Sequence, residues 1–348
     1  MYNSICIYII FITYKSLGMP KTKSIYQSLK RFYNIKVTIL NENKKFFSKI
    51  GTNYLILAIL TILFQIFLLN IVYIYNPNLI QNTDIRMIIS ALSSYILPFP
   101  IFLFLMQRLK AKSIEKESLT IKKFFIYLCI TITLMWMGNL LGNIITIIIG
   151  HIMSNEVINP VHQAITNSSI YINLIIICII APIFEEIFFR KLLIDRTIKY
   201  GATLSIILSA TLFGLFHGNL SQFFYAFLLG GFFAYVYIKT GNILYSISLH
   251  SIINFFGSII SLLFVQSINK ISAQNPIDIT IVALYGIIVI SCLIIGLYSI
   301  LTNYKKIDLK EIYLDKPGKT IFLNAGMILF ILFEIILILQ SLNIIRIF

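Results

Sequence analysis

Long apolar stretches run along the chain at roughly 53–75, 87–106, 124–150, 170–194, 202–217, 221–239, 243–265, 279–301 and 320–343, separated by short polar connectors. Within them the polar residues follow no alternation of period two, which argues against barrel strands. A run of ~20 apolar residues is what an α-helix needs to cross ~30 Å of hydrocarbon. The pattern predicts an all-α protein, a polytopic transmembrane helical bundle of about nine spans. It divides the chain into 1–52, with a short apolar segment and a basic region; 53–165, the first helices; 166–265, a core dotted with polar residues; and 266–348, the last helices.

The connectors alternate in charge. Residues 20–50 carry a run of basic residues from Lys21 to Lys49, whereas the next connector has only Arg86. Arg108 to Lys123 is basic again, and 151–168 has no lysine or arginine. Arg190, Lys191, Arg196 and Lys199 follow the fourth stretch, and "HGNLS" after the fifth has none. The positive-inside rule then places residues 20–50 in the cytoplasm and the C-terminus outside, in a multi-pass cell-membrane protein. "SLKRFYNIKVTILNENKKFFSKI" is expected to be amphipathic and to lie against the anionic inner leaflet.

Composition agrees. Of 348 residues, 58% are hydrophobic and 12% charged, and mean hydropathy is +0.90, where a soluble domain is nearer a quarter charged. The net charge of +15 would point to nucleic acid in a soluble chain. Here lysine-rich connectors account for it, so the expected partner is the lipid bilayer and no nucleic acid. Cys6, Cys129, Cys178 and Cys292 stand in apolar stretches at unrelated spacings, which suggests neither a disulfide framework nor a thiolate site. "SICIYIIFITY" near the N-terminus is too short to span comfortably; it reads as an interfacial anchor or as the result of a start placed ahead of Met19.

Only Glu185, Glu186 and Glu334 of the acidic residues fall inside the stretches, with His217 and His250 of the histidines. A charged carboxylate at mid-bilayer costs ~2.5–3.5 kcal/mol on insertion scales, so two neighbours need partners or a use. In "APIFEEIFFR", Glu186 and Arg190 are spaced i, i+4 and can form a structural ion pair, while Glu185 is rotated ~100° away. Pro182 removes a backbone bond to Cys178 and is expected to kink the helix. Glu185 and His217 lie at similar distances from the turn at Tyr200, and Phe213 shares the face of His217. His250 and Asn254 are likewise i, i+4. A free carboxylate, two histidines and an amide from three helices suit hydrolysis of a peptide bond by glutamate-activated water.

"EEIFFR", "FGLFH" and "HSIIN" resemble, in order, the three signature motifs of the CPBP family, the CAAX prenyl protease type II and bacteriocin-processing intramembrane proteases also called Abi-like. The resemblance covers about residues 180–258. It implies that Glu185 activates water with His217 as its partner, and that His250 and Asn254 complete the site and stabilise the oxyanion. It also implies a membrane-associated peptide or protein substrate, in bacteriocin or signal-peptide maturation or self-immunity. Phe213 reads as packing. No cofactor is required on this reading; zinc on Glu185, His217 and His250 is the rival, although no H-E-x-x-H is present. Two other classes stay open: a non-catalytic immunity protein that binds a toxin peptide, and a transporter in which Glu334 handles protons.

Overall fold

The computed structural model describes residues 22–152, 160–270, 275–303, 309 and 314–345. The short apolar N-terminal segment and the Met19 question lie outside the described residues. Helices dominate, and no strand occurs among the described residues. In chain order the long helices are α1 Thr22–Tyr75, α2 Thr83–Gln107, α3 Ile121–Ile152, α4 Ile170–Tyr200, α5 Ala202–Leu215, α6 Leu220–Thr240, α7 Ile243–Asn269, α8 Pro276–Asn303 and α9 Ala325–Ser341. All of these except α5 and α9 are long and apolar enough to cross a membrane. The two short apolar helices stand where the fifth and ninth stretches were expected. At ~1.5 Å per residue, the 14 residues of α5 rise only ~21 Å, less than the ~30 Å of a hydrocarbon core.

Outward faces are apolar, as lipid contact requires: Leu140, Ile147 and Ile287 are each exposed by about 60–70%. The inside is built in two parts. Phe47, Tyr54, Phe102, Phe188, Phe189, Leu212 and Phe330 join α1, α2, α4, α5 and α9 in one core. Ile132, Phe233 and Leu249 join α3, α6 and α7 in a second.

The first helix differs from expectation. It runs unbroken from Thr22 through residue 52, so the basic segment and the first apolar stretch form one rod. Between Pro20 and Pro77 the only helix breaker is Gly51, and there the absent side chain serves packing. A Cβ on Gly51 would lie 2.4 Å from the Met327 backbone nitrogen, so α1 and α9 touch through their backbones.

Small residues set a second close crossing. Gly138 and Gly142 on α3 face Tyr225 and Ser221 on α6, and Thr146 continues the stripe with a 3.0 Å hydrogen bond to the Ser221 hydroxyl. A Cβ on Gly142 would sit 2.6 Å from the Ser221 carbonyl oxygen. Small residues at this spacing let membrane helices approach closely. Gly142→Leu is therefore expected to lower folded abundance and thermal stability in detergent by about 1–3 kcal/mol or more. Unchanged melting would show that the crossing is not needed.

Between α2 and α3 the chain forms an extended strap across one end of the core. The Lys112 N–H bonds the Asp195 carbonyl at 2.6 Å, Glu117 the Thr240 carbonyl at 2.8 Å, and Leu119 the Tyr245 hydroxyl at 3.1 Å. These bonds tie the ends of α4, α6 and α7 together.

Candidate active site

The site is built around α4, whose backbone is not uniform. Asn173–Ile180 and Ile187–Leu192 are wound in wide π-helical turns, with Ala181–Glu186 in ordinary α-helix between them. The Ala181 N–H bonds the Ile176 carbonyl, five residues back. In that register the next donor would be Pro182, bonding Ile177, and proline has no N–H. Asn254 of α7 supplies the missing donor: its Nδ2 lies 2.9 Å from the Ile177 carbonyl oxygen. The proline's consequence is thus a change of register stitched to a neighbouring helix.

The two glutamates of the α-helical turn have different surroundings. Glu186 is fully buried, with Oε2 3.0 Å from Arg190 Nε and Oε1 2.9 Å from His250 Nδ1. The arginine contact is an ion pair whose N–H is not aligned as a hydrogen bond, and the Nη atoms of Arg190 have no acceptor among the described residues. Ring faces cover the guanidinium instead, Phe213 at 4.4 Å and Phe233 at 5.7 Å. Glu185 keeps 15% of its side chain exposed, against none for Glu186. Its Oε1 accepts from the Tyr95 hydroxyl at 2.6 Å, and its Oε2 stands 3.6 Å from His250 Nε2.

His250 therefore links the pair. A carboxylate can only accept, so Nδ1 carries a proton toward Glu186 and Nε2 turns to Glu185. Spacing along the chain shows neither contact. His217 ends the α5 turn, where Gly218 takes the left-handed φ of 56° and the Asn219 side chain caps α6. Its Nδ1 faces the Phe213 carbonyl at 2.7 Å, which makes Nδ1 the donor and leaves Nε2 as the free ring nitrogen. The Phe213 ring lies edge-on to both histidines, at 4.9 Å from His217 and 5.8 Å from His250. Gly230 makes room for it, since a Cβ there would come within 2.9 Å of the ring.

Glu185, Glu186, Arg190, Phe213 and His250 thus form one linked cluster in which His250 touches both glutamates and Phe213 covers Arg190, with His217 joined through Phe213 and Asn254 tied to the α4 backbone. Tyr95 was not among the expected site residues; it sits on α2 in no recognisable motif. Among the described residues, no three His, Cys, Asp or Glu side chains are grouped so as to hold a metal ion, the set Glu185, His217 and His250 included. Glu334 is buried on α9, and its Oε2 has no hydrogen-bond partner among the described residues. Cys129 and Cys292, unrelated by spacing, face each other across α3 and α8 with sulfurs 3.7 Å apart.

Comparison with known families gives a match: residues 167–256 fit the family described as type II CAAX prenyl endopeptidase Rce1-like. No curated protein and no solved structure matches the chain. The matched segment runs from the start of α4 into α7 and contains every residue of the cluster except Tyr95. That segment is similar to the type II CAAX prenyl endopeptidase Rce1-like family, and the likeness supports a protease in a chain whose long apolar helices can cross a membrane.

Proposed function

We propose that the chain cleaves the backbone of a membrane-associated peptide or protein with water activated by Glu185. The observation that carries this reading is the unequal environment of the two glutamates. Arg190 and His250 engage both oxygens of buried Glu186, whereas Glu185 is partly open and holds Oε2 free of a close donor. In the proposed reaction, Glu185 takes a proton from water as the water oxygen bonds to the scissile carbonyl carbon. The carbonyl oxygen becomes an oxyanion, the C–N bond breaks, and Glu185 returns the proton to the leaving amine. His217, held through Nδ1, presents Nε2 to the oxyanion once that nitrogen is protonated. His250 steers Glu185, and Asn254 holds the α4 backbone while keeping a second amide hydrogen for the site. The basic N-terminal region lies in the cytoplasm and the substrate belongs to bacteriocin or signal-peptide maturation or self-immunity, as the loop charges and the resemblance imply.

The test compares membrane-derived peptides from cells making wild type and cells making Glu185→Gln at matched abundance. Peptides released only by the wild type support an endopeptidase and identify its substrate. Identical profiles with any immunity phenotype intact would mean a binding protein and end the catalytic reading. His217→Ala is expected to lower turnover by about 10²- to 10³-fold, the usual effect of losing one oxyanion donor, at normal abundance. Full activity in that variant would remove His217 from the mechanism.

A further inference from the structure

We propose that Tyr95 is a positioning residue for Glu185, supplied by a helix outside the family-matched segment. The inference rests on the reading of Glu185 as the base. The Tyr95 hydroxyl donates to Glu185 Oε1 at 2.6 Å, within the range of a charge-assisted O–H···O⁻ bond. Because Oε1 is taken, Oε2 is left to receive the proton of water, and it is the oxygen that His250 faces.

The backbone of α2 is widened where Tyr95 sits. Leu92–Ile96 is a π-helical turn, closed by a 2.9 Å bond from the Leu97 N–H to the Leu92 carbonyl. Such a turn inserts one residue and rotates the part of the helix before it by ~100° relative to the part after it. Within it the Ser93 hydroxyl donates back to the Ile89 carbonyl at 2.8 Å, a back-bond of the kind that bends helices. Tyr95 and Phe99 share a face of α2 by their i, i+4 spacing, and the turn sets the angle between that face and the part of α2 before Leu92. The Tyr95 ring stacks on Phe184 at 5.8 Å with planes 23° apart, and Phe99 meets the same Phe184 edge-on at 5.4 Å. Phe184 directly precedes Glu185. Ring and hydroxyl thus fix adjacent residues of α4, the ring by packing and the hydroxyl by holding the carboxylate rotamer.

A merely structural tyrosine would act through its ring, and the two roles separate cleanly. Tyr95→Phe keeps the stack and removes only the hydroxyl; Tyr95→Ala removes both. The full-length chain is placed in lipid vesicles with a synthetic precursor peptide that spans the cleavage site identified from the wild-type products, and the rate is measured across substrate concentrations. Tyr95→Phe is expected to lower kcat roughly tenfold to a hundredfold with KM nearly unchanged, as for loss of a hydrogen bond to a charged group. Tyr95→Ala is expected to match that loss in kcat and also to lower abundance. In a Glu185→Gln background Tyr95→Phe should cause no further loss of turnover. Wild-type kcat in Tyr95→Phe, beside an inactive Glu185→Gln, would overturn the role of Tyr95 alone. Equal activity of wild type and Glu185→Gln would instead overturn the base on which it rests.

Discussion

Glu185→Gln is expected to lower cleavage by about 10²- to 10⁴-fold, the range a positioned general base contributes, while leaving the protein folded at normal abundance. The amide is nearly the same shape as the carboxylate. Its oxygen can still accept from Tyr95 and its nitrogen can face His250 Nε2, so neither neighbour loses its contact. What disappears is the capacity to take a proton from water. Turnover per folded molecule, measured with a precursor peptide spanning the cleavage site that the wild-type products identify, checks the result. Retained turnover would transfer the base to another residue, and the only other carboxylate of the cluster is Glu186, with both oxygens already engaged.

Much of the fold could be read from the chain because membrane helices advertise themselves locally. Each long helix overlaps an apolar stretch, and the turns at Gly218 and Gly241 fall where short polar breaks were visible. Helix periodicity also separated Glu185 from Glu186 and paired the latter with Arg190. The limits are equally physical. Spacing along one helix says which residues share a face, not what that face meets. The bond from His250 to Glu186, the tie from Asn254 to Ile177 and the approach of Cys129 to Cys292 depend on which helices pack together. Tyr95 was hidden for a further reason: a tyrosine in an apolar helix is common, and nothing in "LSSYI" signals that it meets Glu185 on another helix. The continuity of α1 through residue 52 was missed because a polar segment and an apolar one can share a helix when neither holds a breaker.

Arg190→Met tests the other half of the division of labour, and its expected effect is on stability. Glu186 is fully buried, and Arg190 is its full cationic partner. Removing one member of a buried pair leaves an uncompensated charge, which costs about 3–5 kcal/mol. Methionine roughly fills the space over Phe213, so a cavity is not the cause of the loss. Because the Nη atoms of Arg190 find no acceptor among the described residues, the pair as a whole is far from ideal, and neutral partners should replace it well. Glu186→Gln/Arg190→Met is accordingly expected to recover most of the lost stability, since the Gln oxygen can still accept from His250 Nδ1. Thermal melting in detergent and folded abundance, set beside turnover per folded molecule, separate stability from chemistry. A normally stable but inactive Arg190→Met would instead assign the guanidinium to the reaction, with its Nη donors as the groups that meet the substrate.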